Sequence, residues 1–351
     1  MVSTDRRYDI DWLRVIAIAF LLIYHIAIVF QPWGVFIGFI QSADTSATMW
    51  IPMALLNVFR IPLLFFVSGM GLCFAMRSRN WKQLLTDRAK RILLPLVFGS
   101  IFIVPIHVYI FQKYYEQDIS YSVNMGHLWF LANICIYVLQ CMGLFFLDKN
   151  FDYKIFNAVR RMLKRPYMIY LFMIPFILEA VLVDPDIFSL YVGTGHGFVL
   201  GMIAFFFGFI FVAIGNEFTE AILKLRNINL VLALGLYLLR YFNYDLAAPN
   251  YLMSIESISW IFAAFGFAYK YLNRPSKVLT YLSRAVYPVY IIHMVFLYLA
   301  AYFILPMEFS LEVKFIFIVL LTFIGCFGTY ELFIRRLKFI RPMFGLKLSY
   351  E

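Results

Sequence analysis

Charge is scarce in this sequence. Asp, Glu, Lys and Arg together make up 14% of its 351 residues, against about 25% in a soluble globular domain. That shortage excludes a water-soluble fold, which needs far more charge on its surface. Cysteine is scarce too. Cys73, Cys135, Cys141 and Cys326 lie in or beside apolar segments, at spacings that suit neither a disulfide framework nor a metal site, and they read as small buried hydrophobes. No internal repeat is visible and no linker is long enough to divide the chain. A single transmembrane domain over residues 1–351, without an appended soluble domain, is therefore expected. The first apolar run is too long for a cleaved signal peptide and lacks a small-residue cleavage site.

Apolar residues are what the chain has in abundance: 63% are hydrophobic and the mean hydropathy is +0.82. Runs near 20 residues recur, the length that crosses a hydrocarbon core of ~30 Å. Ten spans are predicted, at 11–32, 50–76, 91–112, 127–147, 166–183, 197–215, 228–242, 251–271, 285–305 and 311–335. The seventh is short and ends in RYFNYD. The expected fold class is all-α: a polytopic integral membrane helical bundle of about ten transmembrane helices in a lipid bilayer.

The basic residues alternate along this pattern. Arg6 and Arg7 at the N-terminus, the 77–91 and 148–165 connections, the 216–227 segment, the 270–284 connection and the C-terminal tail hold nearly all the Lys and Arg. The intervening connections hold only Lys113, Arg240 and Lys314. By the positive-inside rule both termini are expected in the cytoplasm. The net charge of +10 is then a topology signal, and no nucleic-acid partner is expected.

Two kinds of polar group stand out. An ionisable residue inside a membrane is a functional hypothesis by default, because a charge at mid-bilayer costs roughly 2.5–3.5 kcal/mol. Arg14 lies at the cytoplasmic rim, where it could simply snorkel. His25 lies about 20 Å from the cytoplasmic end of the same span at ~1.5 Å per residue, in the outer half. Arg60, Glu179 and Glu256 reach comparable depths, and His127 and His196 stand near outer mouths. These residues suggest a polar chamber opening outward, with Glu179 or Glu256 as partner to Arg60 and as the carboxylate beside His25. The plainer alternative for His25 is a hydrogen bond that ties two helices. At the cytoplasmic side, TDRAKRILLPL places Arg88 and Arg91 at i and i+3, on one face of a helix, where planar guanidiniums suit phosphate. Ordinary positive-inside charge is the alternative. An extended donor with an anionic head and a reactive tail would connect the two regions, and acyl-coenzyme A has that shape.

The sequence also resembles the integral-membrane acyltransferase family 3, which O-acylates carbohydrates at the bacterial envelope. The likeness begins in YDIDWLRVIAIAFLLIYH, with Arg14, ten residues and His25. It continues through RAKR at Arg88–Arg91, FFVSG, HLWFL from His127, and YPVYIIH from Tyr287 to His293. The tail YELFIRRLKFIRPMFGLK resembles the glucan succinyltransferase-like branch. The resemblance implies His25 as catalytic base, Arg14 as a donor-placing or supporting residue, and Arg88 and Arg91 on the coenzyme A phosphates. Arg60, His127, Glu179 and Glu256, singled out by depth, are expected as weaker substrate or supporting residues beside those that the resemblance names. It also implies acetyl- or succinyl-coenzyme A as donor, an extracytoplasmic carbohydrate hydroxyl as acceptor, and a multi-pass place in the bacterial inner membrane. Homo-oligomers or an envelope-biosynthesis partner stay open. Many members have proline two residues after the YPVYIIH histidine, whereas Val295 stands here, so His293 is left out of the expected catalytic set. No metal is expected, because the five histidines fall on five segments without ligand spacing. The rival reading is a transporter or flippase that uses the intramembrane His, Arg and Glu for coupling, but the paired helix breaks it calls for are not visible.

Overall fold

A backbone in lipid has no water to bond, so its N–H and C=O groups must be satisfied within helices or a closed barrel. The computed structural model describes residues 6–77, 79–150 and 154–348. Among them every regular element is helical, and ten helices are long and apolar enough to cross a membrane. In chain order the helices are α1 (Tyr8–Ile28), α2 (Trp50–Arg77), α3 (Trp81–Tyr114), α4 (Trp129–Asn150), α5 (Lys154–Leu163), α6 (Pro166–Val183), α7 (Gly195–Ile214), α8 (Asn216–Asn243), α9 (Asn250–Leu272), α10 (Lys277–Ile304) and α11 (Leu311–Ile334). All but the short, basic α5 are candidate spans.

Several helices run past the predicted spans. The 216–227 segment, expected as a basic connection, is the first part of α8, and α3 and α10 begin at Trp81 and Lys277 rather than at 91 and 285. A drop in hydropathy marks where lipid ends. It does not end a helix, since Lys, Arg, Glu and Leu all propagate one well in water. Arg240 and Lys314, counted with the outer connections but inside the spans predicted at 228–242 and 311–335, sit on α8 and α11. Residue 78 of the 77–91 connection and residues 151–153 of the 148–165 connection lie outside the described residues.

Helix α3 is not uniform. Two π-helical stretches, Ala89–Leu93 and Gly99–Ile103, each come just before a proline, Pro95 and Pro105. A proline ring clashes with the carbonyl four residues earlier, and a wider π turn relieves that crowding without ending the helix.

The chain forms two compact units. The first comprises Met1–Ala17, Ala54–Leu84 and Asn133–Thr280. Here α2 and α7 meet backbone to backbone: a Cβ on Gly69 would fall 1.9 Å from the Phe205 carbonyl oxygen, and one on Gly208 would fall 2.0 Å from that of Phe66. Lipid tails are as apolar as leucine, so close packing through small residues is what joins such helices. Aromatic rings surround this contact, with Phe66 stacked between Phe176 and Phe211, and Phe211 lying 4.0 Å from Phe218.

The second unit comprises Ile18–Met53, Leu85–Ala132 and Tyr281–Glu351. Its C-terminal turn, Arg341–Phe344, is tied down by Arg341, which donates to the carbonyls of Arg335 and Leu348. Phe344 packs edge-on against Phe98 of α3. Gly345 follows at φ +70°, where a Cβ would fall 2.3 Å from the Tyr287 ring and 2.9 Å from the Arg91 carbonyl oxygen, a conformation and a space that suit glycine alone.

Candidate active site

The second unit gathers four of the chain's five histidines. His25 comes from the last turn of α1, His107 from α3, His127 from a short 3-10 turn, Gly126–Leu128, that leads into α4, and His293 from the middle of α10. Gly126, at φ +43° and close against Val104, makes the sharp turn that brings His127 to this point. That turn is pinned to α10 twice. His127 Nε2 lies 3.0 Å from the Ile291 carbonyl oxygen, and the Tyr290 hydroxyl donates to the His127 carbonyl at 2.7 Å.

His293 is at the centre. Its Nε2 is 2.9 Å from His25 Nδ1, and its Nδ1 is 2.6 Å from the Tyr290 carbonyl oxygen. The two rings lie within 10° of parallel. The His127 ring meets His293 edge-on at 4.9 Å, and His107 follows at 5.6 Å from His127. His293 is fully buried and His107 nearly so, while His25 is half-buried. Phe39 lies 5.6 Å from His25, Tyr298 lies 5.1 Å from His107, and the Tyr24 ring, 5.8 Å from His25, leads to Trp50 and, edge-on to it, Trp33. The site is thus a row of imidazoles in an aromatic wall. Among the described residues no group of three or more His, Cys, Asp or Glu could hold a metal ion, and two of these rings are turned onto backbone carbonyls.

Sequence reasoning missed two members of this row. His293 was set aside because Val295 replaces a proline, yet the substitution leaves α10 unbroken from Lys277 to Ile304 and the imidazole on His25. His107 carried no local signal beyond being an intramembrane histidine.

The remaining expected residues take other places. Arg14 is held on α1 by Asp11 at 3.1 Å. Arg88 is the last α-helical residue before the π stretch Ala89–Leu93, and Arg91 lies within it. The i and i+3 pair is therefore not on a plain α-helical face as expected. Arg91 is held by Asp87 at 2.9 Å, and both residues are half-exposed.

In the first unit, Arg60 donates to Asn57 Oδ1 at 2.8 Å. The two glutamates expected to serve Arg60 or His25 have partners of their own. Glu179 Oε1 is 2.8 Å from His196 Nδ1, and both oxygens of Glu256 accept from Arg240 at 2.8 Å. The group bonded to His25 Nδ1 is an imidazole, not a carboxylate.

Ten helices long and apolar enough to cross a bilayer describe a multi-pass membrane protein. The family model of the acyltransferase 3 domain matches residues 7–331. The chain belongs to that family and is a membrane acyltransferase. No curated protein and no solved structure is similar enough to it to establish a relationship.

Proposed function

We propose that this acyltransferase moves an acetyl or succinyl group from cytoplasmic acyl-coenzyme A to a hydroxyl of an extracytoplasmic, envelope-associated carbohydrate, in a bacterial inner membrane with both chain termini in the cytoplasm. The observation that carries this reading is His25, a half-buried imidazole held by a hydrogen bond inside a membrane span of a chain from an acyltransferase family. An imidazole has an unperturbed pKa of about 6.5 and suits general-base work at neutral pH.

The step balances simply. The acceptor oxygen attacks the thioester carbonyl as its proton passes to His25. The C–S bond then breaks, and the coenzyme A thiolate leaves and recovers the proton. Arg88 and Arg91 bind the donor phosphates through guanidinium forks, with Asp87 setting the direction of Arg91. They lie in a basic stretch that the positive-inside rule assigns to the cytoplasm, the side from which acyl-coenzyme A comes. Arg14 has a supporting role.

The test is binding of acetyl- and succinyl-coenzyme A to detergent-purified protein, wild type beside an Arg88→Ala/Arg91→Ala double variant. Saturable binding that is lost in the double variant is expected, and the preferred thioester identifies the acyl group. No binding of either thioester by folded wild-type protein refutes the donor assignment.

A further inference from the structure

One backbone carbonyl determines which nitrogen of His25 is available to react. A carbonyl oxygen only accepts hydrogen bonds. The Tyr290 carbonyl oxygen is 2.6 Å from His293 Nδ1, so that nitrogen carries the ring proton. Neutral His293 then has its lone pair on Nε2. A second proton there would put a cation on a fully buried ring with two further imidazoles beside it, which is costly without a paired anion. His293 Nε2 lies 2.9 Å from His25 Nδ1, and two lone pairs cannot face each other at that distance. His25 Nδ1 is therefore the donor, and neutral His25 has its lone pair on Nε2. The same reasoning applies to His127, whose Nε2 proton goes to the Ile291 carbonyl. That bond keeps the neighbouring ring fixed edge-on to His293.

We propose that His293 is a positioning residue for the reaction: it holds His25 in the Nδ1–H tautomer, with the ring plane aligned, so that His25 Nε2 is the nitrogen that takes the acceptor hydroxyl's proton. This rests on the acyl-transfer reading above. During the step, the bond from the hydroxyl oxygen to the acyl carbon forms while the O–H proton moves to His25 Nε2. The resulting imidazolium keeps its Nδ1–H on His293 Nε2, and the bond between them becomes charge-assisted and stronger. The proton leaves again from Nε2 with the coenzyme A thiolate. His293 does the work that a carboxylate does in a Ser-His-Asp triad, namely fixing tautomer and ring direction. A neutral imidazole does this without bringing a permanent second charge into the bilayer. It also explains why Glu179 and Glu256 can both be committed elsewhere.

The first test is spectroscopic and needs no acceptor. Full-length protein with 15N-labelled histidine is examined in detergent by two-bond proton–nitrogen correlation, with His25→Ala assigning the resonance. Neutral His25 is expected as the Nδ1–H tautomer in wild type. An Nε2–H tautomer overturns the proposal, whatever the state of the variants. The second test is single-turnover release of coenzyme A thiol from acetyl- or succinyl-coenzyme A with a gluco-oligosaccharide acceptor. His293→Ala is expected to lower the rate constant by about 100-fold or more, with donor affinity within about threefold of wild type. His293→Gln, whose side-chain oxygen can accept from His25 Nδ1, is expected to recover about tenfold of that loss. A folded His293→Ala protein at the wild-type rate, or a folded His293→Gln protein no faster than His293→Ala, overturns the proposal. An active His25→Ala variant instead removes the general-base reading, and it does so separately, because the tautomer measurement still reports what His293 does to His25.

Discussion

Replacing Glu256 by Gln is expected to destabilise this protein far more than a change of one atom suggests. Arg240 and Glu256 are 2% and 1% exposed. The guanidinium gives Nε and Nη2 to the two carboxylate oxygens at 2.8 Å each, and its other donors go to the carbonyls of Leu246 and Ala54. Two unit charges about 4 Å apart attract by roughly 4 kcal/mol at an effective dielectric of 20. A buried pair that loses one partner is destabilised by about 3–5 kcal/mol, because the remaining charge stays buried. At roughly 2 °C per kcal/mol, the order for chains of 150–250 residues, Glu256→Gln should lower the apparent Tm by about 6–10 °C. The assay is a thermal scan in detergent at one fixed rate, since unfolding here need not be reversible. A double variant, Arg240→Met with Glu256→Leu, removes both charges and should recover most of the loss. If the single variant falls by less than about 2 °C, or the double variant is worse than the single, the pair does not hold α8 to α9 as described. Retained acyl transfer in a folded double variant would further remove Glu256 from the supporting residues of the reaction.

The other expectations are briefer. His25→Ala should lower acyl transfer by about 100-fold to 10,000-fold while coenzyme A still binds, as measured by transfer and binding on one preparation; normal transfer refutes its role. Arg88→Lys with Arg91→Lys keeps the positive-inside charge but removes the planar forks, and calorimetry should show donor affinity falling by about tenfold, on the order of one charged hydrogen bond. Unchanged affinity would make the two arginines topology charges. Gly208→Val must move α2 and α7 apart, because even a Cβ there would sit 2.0 Å from the Phe66 carbonyl oxygen. A loss of at least about 1–3 kcal/mol is expected, seen as a lower apparent Tm, and a Tm equal to wild type would contradict the close contact.

Much of the scaffold could be read from the residues, for a reason particular to lipid. The spans predicted at 50–76, 166–183 and 311–335 fall within a residue of α2, α6 and α11, since an apolar run long enough to cross the bilayer has no other way to satisfy its backbone. The spans predicted at 228–242 and 91–112 are shorter than α8 and α3, which continue on polar residues where hydropathy no longer marks them. The π stretch under Arg91 had only Pro95 and the glycine and proline further along as hints.

The candidate site was legible in part. The histidine of the Arg14 and His25 pattern and the HLWFL histidine can each be picked out along the chain. His293 was discounted for the residue two positions beyond it, although what matters is its own place on α10, three residues from the Tyr290 carbonyl that orients it. Glu179 and Glu256 were assigned by depth, and depth did not determine their partners.

Composition and the order of apolar runs determined by themselves that this chain is an all-helical membrane protein with ten spans, because the demand of the hydrocarbon core acts on each segment alone. Which polar side chain meets which was decided only by tertiary structure. His25 meets His293, Glu179 meets His196 and Glu256 meets Arg240 because of how each helix is rotated about its axis and how closely its neighbours approach. Those quantities come from packing between segments distant in sequence, and a hydrogen bond changes completely over shifts of about 1 Å.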